Sequence, residues 1–380
     1  MEKKIIYLDN ASTTSVNADV LSSYNKVVSD YKGNASSIHS LGMEASRLID
    51  KARNQILSCL KLDNDDLIFT SGATEANNLA IKGYAFKYQN RGKHIIVSEI
   101  EHPSVKEAAQ ELHDVFGFDV DYLPVDEHGI VDLSALKTLL RKDTILVSVM
   151  AVNNEVGAIQ PIKEIKEILK DYPKIAFHVD AVQAIGKVDL DYQDVDMLTI
   201  SSHKIHGLKS IGALIKKKNI TLLPLLSGGG QENNQRSGTY DPALIVSFAK
   251  AIRLTIESSS KNRLYVKSLY DYLYDYFLKH EDEFKMNSFS KDNPYILNVS
   301  LRNKKAAVIV EGLSKEGIMV SSLSACHSKG EKVSYVVYAM TKDTDLAHNT
   351  LRISLSYENT LEEIKYFIEI LEKVMKGVRS

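Results

Sequence analysis

Short apolar runs that alternate with helix-like segments constrain the fold of this 380-residue chain most strongly. Three of these runs, near residues 147, 178 and 198, are almost continuously apolar instead of alternating between apolar and polar residues. A strand that is apolar on both sides is buried on both faces, which is typical of parallel sheets covered by helices. The order of strand and helix segments therefore predicts a doubly wound α/β domain with a mostly parallel sheet.

The composition bounds the class of protein. Apolar residues make up 44% and charged residues 25% of the chain, and the net charge is −2. Without a strong basic field we expect no direct contact with nucleic acid. The start of the chain is unlike a signal peptide, and no apolar run reaches the roughly 20 residues of a membrane helix. We therefore expect a cytoplasmic protein without membrane contact.

A lysine and an aspartate follow two of the apolar strands. Lys204 comes after the run at 195–200, and Asp180 ends the run at 175–180. This pair suits pyridoxal 5′-phosphate (PLP): the lysine forms a Schiff base, the aspartate keeps the pyridine nitrogen protonated, and Ser201 and His203 reach the phosphate. Each residue alone also fits a simpler interpretation, a surface lysine and a helix cap. Their combination favours the cofactor.

The segment at 70–78 joins a predicted strand to a predicted helix through small residues. Free backbone N–H groups at the positive end of a helix bind anions, and Thr74 adds a hydroxyl. Neither a Walker motif nor a G-x-G-x-x-G motif occurs there, which argues against ATP or a dinucleotide and favours a single phosphate. The alternative is a capped helix with no ligand.

Three further polar side chains follow strands. His102 comes after the strand at 94–98 and can stack on a planar ring or move a proton, although with Pro103 it also fits a simple helix entry. Asn153 ends the strand at 144–149 and offers an amide to a ring oxygen. Gln183 lies one turn beyond Asp180.

The chain has two cysteines, which form neither a disulfide framework nor a zinc pattern. Cys59 stands among apolar residues of a predicted helix, where a thiol is buried and poorly ionised. Cys326 stands in a small, polar loop of the sequence, where we expect His327 and Lys329 to lower the pKa of its thiol. The alternative for Cys326 is a tolerated surface cysteine. His203 and His206 lack an evident third ligand, so we predict no metal site.

Arg352 lies within an apolar strand. A buried guanidinium is costly unless it binds a carboxylate, so either a substrate carboxylate or an intramolecular salt bridge must satisfy it.

Taken together, these residues resemble the NifS/IscS-type cysteine desulfurases, in the class V aminotransferase group of fold type I PLP enzymes. The resemblance implies a large PLP-binding domain at 14–258 and a smaller α+β domain at 1–13 and 259–380. It runs nearly end to end and is carried by residues 7–14, 34–39, 70–78, 101–104, 153–157, 178–183, 201–204, 228–232, 236–239 and 324–326.

The resemblance also implies roles around the cofactor. Lys204 would bond to PLP, Asp180 would pair with the pyridine nitrogen, Gln183 with the ring hydroxyl, and His102 would stack on the ring. The phosphate would be held by Ala73, Thr74, Ser201 and His203, and by Thr239 from the neighbouring subunit, which implies a homodimer.

On the substrate side, Asn153 and Arg352 would hold L-cysteine, and Cys326 would take its sulfur as a persulfide. The sulfur would pass to an acceptor protein, either an iron–sulfur scaffold or a tRNA thiolation enzyme. Two alternatives stay open: a selenocysteine lyase or another class V PLP enzyme, and a weakly active sulfur-relay or scaffold-binding protein.

Several residues depart from the family pattern without removing a reactive group: Leu323 in the cysteine loop, Leu208 and Ser210 after the lysine, Asp241, and Ser12 and Ser15 near the start.

Overall fold

A computed structural model describes residues 5–289, 292–322 and 333–377. The described strands are Ile6–Tyr7 (β1), Asp66–Thr70 (β2), His94–Ser98 (β3), Asp119–Leu123 (β4), Thr144–Ser148 (β5), Ala176–Asp180 (β6), Met197–Ser201 (β7), Gly212–Lys216 (β8), Phe284–Met286 (β9), Ile296–Leu301 (β10), Ile318–Met319 (β11) and Thr350–Ser354 (β12).

The described α-helices are Ala18–Asp30 (α1), Ser40–Cys59 (α2), Ala73–Asn78 (α3), Tyr84–Tyr88 (α4), Pro103–Phe116 (α5), Leu133–Leu139 (α6), Ile162–Leu169 (α7), Pro242–Leu278 (α8), Ala306–Lys315 (α9), Tyr335–Thr341 (α10), Thr344–His348 (α11) and Leu361–Gly377 (α12). A π-helical turn, Leu79–Gly83, joins α3 to α4, so the chain is helical from residue 73 to residue 88.

A seven-stranded sheet in the order β2-β8-β7-β6-β5-β3-β4 forms the centre of the molecule. Strands β4, β3, β5, β6 and β7 pair in parallel, and β8 pairs antiparallel with both β7 and β2. Strand β8 therefore runs opposite to the other six, and the predicted mostly parallel sheet and fold class are confirmed.

Helices cover both faces of this sheet. Successive side chains of a strand point to opposite faces, and in β3 Ile96 joins one apolar core while Ile95 and Val97 join the other. Every residue of β3, β5, β6, β7 and β8 is buried. This two-sided burial is the reason why the strands are almost continuously apolar in the sequence.

The sequence analysis did not identify β8. Residues 202–211 lead from β7 straight back into β8, and a connection this short returns the chain antiparallel, because a parallel crossover takes about a dozen residues or more. Lys204 lies on this return segment, at the carboxyl edge of the sheet.

A smaller sheet of order β12-β10-β9 and the β1–β11 pair share a separate apolar core. Helix α8 contributes to both cores, with Phe248 and Ile252 in the large one and Leu269 and Phe277 in the small one. Strand β1 pairs with β11, and Asp9 bridges to Ser354 of β12, so the start of the chain lies beside its last strands. The exact domain boundaries stay a prediction.

Candidate active site at the carboxyl edge of the sheet

A cavity of about 660 Å³ lies at the carboxyl ends of β6 and β7, where sheets of this type bind ligands. The structure brings most of the sequence-predicted site residues to its wall: Ala73, Thr74, His102, Asp180, Gln183, Ser201, His203, Lys204 and Arg352. Among the described residues, no three His, Cys, Asp or Glu side chains cluster as metal ligands.

Lys204 projects its amine into this cavity. Its Nζ donates to the carbonyl oxygens of Ala11 at 2.7 Å and Ser12 at 2.6 Å. Burial and the nearby charge of Arg352 lower the pKa of Lys204 to about 8. A lysine with a lowered pKa has a larger neutral fraction near pH 7, and the neutral amine is the form that attacks a carbonyl carbon.

Asp180 ends β6 and is almost completely buried. One carboxylate oxygen accepts from Asn77 Nδ2 at 2.8 Å and the other from the backbone N–H of Val182 at 3.0 Å. Two donors fix the orientation of the carboxylate, and each oxygen keeps a further lone pair. This arrangement suits a partner for a protonated ring nitrogen.

The β2–α3 junction and the end of β7 form a cradle for an anion. Ser201 Oγ is buried there and has no hydrogen-bond partner among the described residues. Gly72 precedes α3 with φ of 152°, which favours glycine. A Cβ at Gly212 would lie 2.9 Å from the carbonyl carbon of Gly72, so a glycine also lets β8 approach this turn. The unpaired hydroxyl and the helix start fit a phosphate.

His203 faces the same cradle from the turn after β7. Its Nδ1 lies 3.1 Å from Thr13 Oγ1. Burial, together with the charges of Lys204 and other lysines, lowers the pKa of His203 to about 4. The ring is therefore neutral at pH 7 and can donate one N–H to an anion.

Gln183 is held at both ends of its amide. Nε2 donates to the carbonyl of Ala11 at 2.8 Å, and Oε1 accepts from Lys187 Nζ at 2.9 Å. Burial, with the charges of Lys204 and Arg352, lowers the pKa of Lys187 to about 7. The sequence analysis missed Lys187, although its position four residues after Gln183 places both on one side of a helical turn.

Arg352 reaches the cavity from β12 and already has protein partners. Nη2 donates to Asp9 Oδ1 at 2.8 Å and to Ser12 Oγ at 2.6 Å, and Nη1 donates to the carbonyl of Asn154 at 2.9 Å. The intramolecular salt bridge that the sequence left open is thus present, and the guanidinium still lines the cavity. This geometry therefore allows Arg352 both to keep its salt bridge with Asp9 and to face a substrate carboxylate in the cavity.

Asn153 does not line the cavity, unlike most of the other predicted site residues, and its role in binding cofactor or substrate stays a prediction. Its Nδ2 donates to the carbonyl of Ile100, and its Oδ1 accepts from the backbone N–H groups of Glu155 and Val156. Asparagine side chains commonly close turns in this way. The next residue, Asn154, lines the cavity instead. Because the two asparagines are adjacent and chemically identical, the sequence alone does not show which of them lines the cavity.

Two other predicted residues lie outside this wall. Thr239 is exposed and does not line the cavity. Cys326 lies outside the described residues, five positions after Ser321, which does line the cavity. Cys59 is partly buried on α2, and burial raises the pKa of its thiol.

Comparison with known proteins places this geometry in a family. The class-V aminotransferase family matches residues 6–367. The cysteine desulfurase IscS of Dictyoglomus turgidum is 40% identical, with 100% of this chain and 96% of that protein covered. Among solved structures, a NifS-like protein superimposes with a TM-score of 0.91 at 35% identity, covering 99% of this chain and 100% of its own.

A second solved structure, SspA in complex with cysteine, has a TM-score of 0.79 at 33% identity and covers 93% of this chain and 100% of its own. No helix within the described residues has the length and apolar character needed to cross a membrane. The chain belongs to the class-V aminotransferases, in the group of the NifS/IscS-type cysteine desulfurases.

Proposed function

We propose that this chain is a PLP-dependent cysteine desulfurase. It removes sulfur from L-cysteine, releases L-alanine and carries the sulfur as a persulfide on Cys326. The observation that carries the proposal is the meeting of the Lys204 amine, the Asp180 carboxylate and the unpaired Ser201 hydroxyl in one cavity. PLP needs three groups from a protein: an amine for the covalent bond, an anion beside the ring nitrogen, and a hydrogen-bond donor to the phosphate.

Different residues of the cavity would hold different parts of the cofactor. Ser201, His203 and the start of α3 would hold the phosphate, and Asp180 would hold the ring nitrogen. Lys204 is the residue that would bond to PLP covalently. Bound PLP supplies an electron sink for the substrate carbon that loses its proton. Thr239 would reach the partner's phosphate in a cytoplasmic homodimer.

Arg352 would bind the substrate carboxylate, since a guanidinium has five N–H donors and its protein partners leave capacity on this group. The thiolate of Cys326 would attack the sulfur of L-cysteine. The carbon–sulfur bond breaks, the carbon gains the electron pair and a proton, and alanine leaves. The sulfane sulfur stays on Cys326 until an acceptor takes it, an iron–sulfur scaffold or a tRNA thiolation enzyme.

The test is a substrate comparison on the purified protein. A visible absorbance band should report bound PLP, and L-cysteine should give sulfide and alanine in equal amounts in the presence of a thiol reductant. Turnover of L-selenocysteine without turnover of L-cysteine would favour the lyase alternative. Cofactor binding without either reaction would favour the weakly active relay protein.

A further inference from the structure

A chain of hydrogen bonds connects the buried Asp180 to the exposed residue His102 through two buried residues that the proposed function leaves without a role. Asn77 Nδ2 lies 2.8 Å from Asp180 Oδ2 and 2.8 Å from Ser104 Oγ. Ser104 Oγ lies 2.8 Å from His102 Nδ1. Asn77 is fully buried, and Ser104 is 8% exposed.

The direction of these bonds follows from Asp180. An ionised carboxylate only accepts hydrogen bonds, so Asn77 must turn its NH₂ group toward Asp180. The second N–H of that group then points to Ser104 Oγ. The oxygen of the Asn77 amide is buried without a partner among the described residues, so no competing donor pulls the amide into the flipped orientation.

The proton of the Ser104 hydroxyl has one acceptor within this chain of bonds. Because Ser104 Oγ accepts from Asn77, its own proton goes to His102 Nδ1. The backbone N–H of Ser104 also donates to Nδ1, at 3.1 Å, as part of the start of α5. A proton on Nδ1 would face the backbone N–H of Ser104 donor to donor and leave that N–H without an acceptor, which is costly. The neutral ring therefore carries its proton on Nε2.

We propose that Asn77 and Ser104 are positioning residues that hold His102 in its Nε2–H tautomer, so that His102 faces the cavity as a hydrogen-bond donor. In this state the ring has no lone pair on the cavity side and cannot act there as the base. That consequence for catalysis rests on the proposed function, whereas the tautomer itself does not.

The charged surroundings of His102 are consistent with a neutral ring. Desolvation by the surrounding protein lowers the pKa of His102, the charge of Asp180 opposes this, and the charge of Lys204 adds to it. Neither charged group changes when Ser104 is replaced. A substitution of Ser104 therefore isolates the contribution of the hydroxyl.

The test is nitrogen-15 NMR of histidine-labelled holoenzyme. The chain has 11 histidines, and the spectrum of His102→Gln assigns the signal of His102 by difference. We expect the shifts of a neutral Nε2–H ring at pH 7. A signal of the Nδ1–H tautomer would overturn the proposal. Neither result depends on desulfurase activity, so this test and the substrate comparison can fail separately.

Ser104→Ala and Ser104→Thr separate positioning from folding. Loss of the hydroxyl removes a donor to the neutral ring, so the His102 pKa should rise by on the order of one unit in Ser104→Ala. Ser104→Thr keeps the hydroxyl and should restore the wild-type value. Asn77→Ala should shift the pKa in the same direction as Ser104→Ala. An unchanged His102 pKa in a folded Ser104→Ala protein would overturn the role of this residue.

Discussion

Two walls of the cavity differ in how many of their hydrogen-bonding groups already have protein partners. On the wall formed by β6 and β7, Ser201 Oγ has no partner among the described residues, and Asp180 is fixed by two donors yet keeps free lone pairs. On the wall to which β12 contributes, Arg352 is already bonded to Asp9, Ser12 and Asn154. The first wall keeps an unpaired hydroxyl and free carboxylate lone pairs for a cofactor, whereas on the second wall three of the five N–H donors of Arg352 are already used by the protein and the rest remain for a substrate carboxylate.

The largest expected effect on the cofactor wall comes from Lys204→Ala. This variant should lose all turnover and the borohydride-reducible bond to PLP, because the Lys204 amine is gone; Lys209 also lines the cavity but should not replace it. It should still bind some PLP through the phosphate cradle, as measured by equilibrium dialysis. A reducible bond that persists in Lys204→Ala would assign the covalent role to another lysine.

Asp180→Ala comes next. Without the carboxylate the pyridine nitrogen loses its partner, and kcat should fall on the order of 10²-fold or more, in the range seen when one electrostatic partner of a reaction is removed. The cradle is untouched, so PLP should remain bound. Steady-state kinetics on variant protein with a measured PLP content checks this, and near wild-type turnover would contradict the role of Asp180.

The substrate wall should show a graded series. Arg352→Ala should raise KM for L-cysteine by roughly tenfold or more, since a hydrogen bond to a charged group contributes about 1.5–3 kcal/mol. Asp9→Asn should raise KM less, because it only weakens the hold on the guanidinium. Ser12→Ala is the matched control with the smallest change. If Asp9→Asn lowered KM, Asp9 would be a competitor of the substrate and not a support for Arg352.

A further prediction concerns the pH dependence of stability. The pKa of Lys187 is lowered to about 7 in the fold and is about 10.4 in an unfolded chain. Between these values the unfolded state binds more protons, so this group makes the folded state more stable as pH rises from about 7 to about 10. Lys187→Met should reduce this rise in thermal unfolding scans.

Lys216→Met is the control for that experiment. Lys216 is buried and pairs with Asp66 at 3.0 Å, at the far end of β8 from the cavity. This variant should lose stability without changing the absorbance of bound PLP. Lys187→Met should instead shift that absorbance, because Gln183 loses the donor that fixes its amide. Equal spectra in both variants would remove Lys187 from the site.

The sequence predicted the cofactor wall better than the substrate wall for a physical reason. Asp180 and Ser201 end buried strands and Lys204 follows one, and strand ends meet at one edge of a parallel sheet. Arg352, Asp9 and Ser12 meet only because the start of the chain lies beside β12, a contact that local patterns do not encode. The sequence could not show which of Asn153 and Asn154 lines the cavity. That depends on the turn after β5, whose orientation is set by tertiary contacts.

Cys326 decides the central claim, since it carries the sulfur in the proposed reaction. Wild-type enzyme should be treated with L-cysteine without reductant, digested and analysed by mass spectrometry. We expect an adduct of about 32 Da, one sulfur atom, on the Cys326 peptide, no adduct on Cys59, and no sulfide release in Cys326→Ser. An adduct on Cys59, or full sulfide release from Cys326→Ser, would contradict the account.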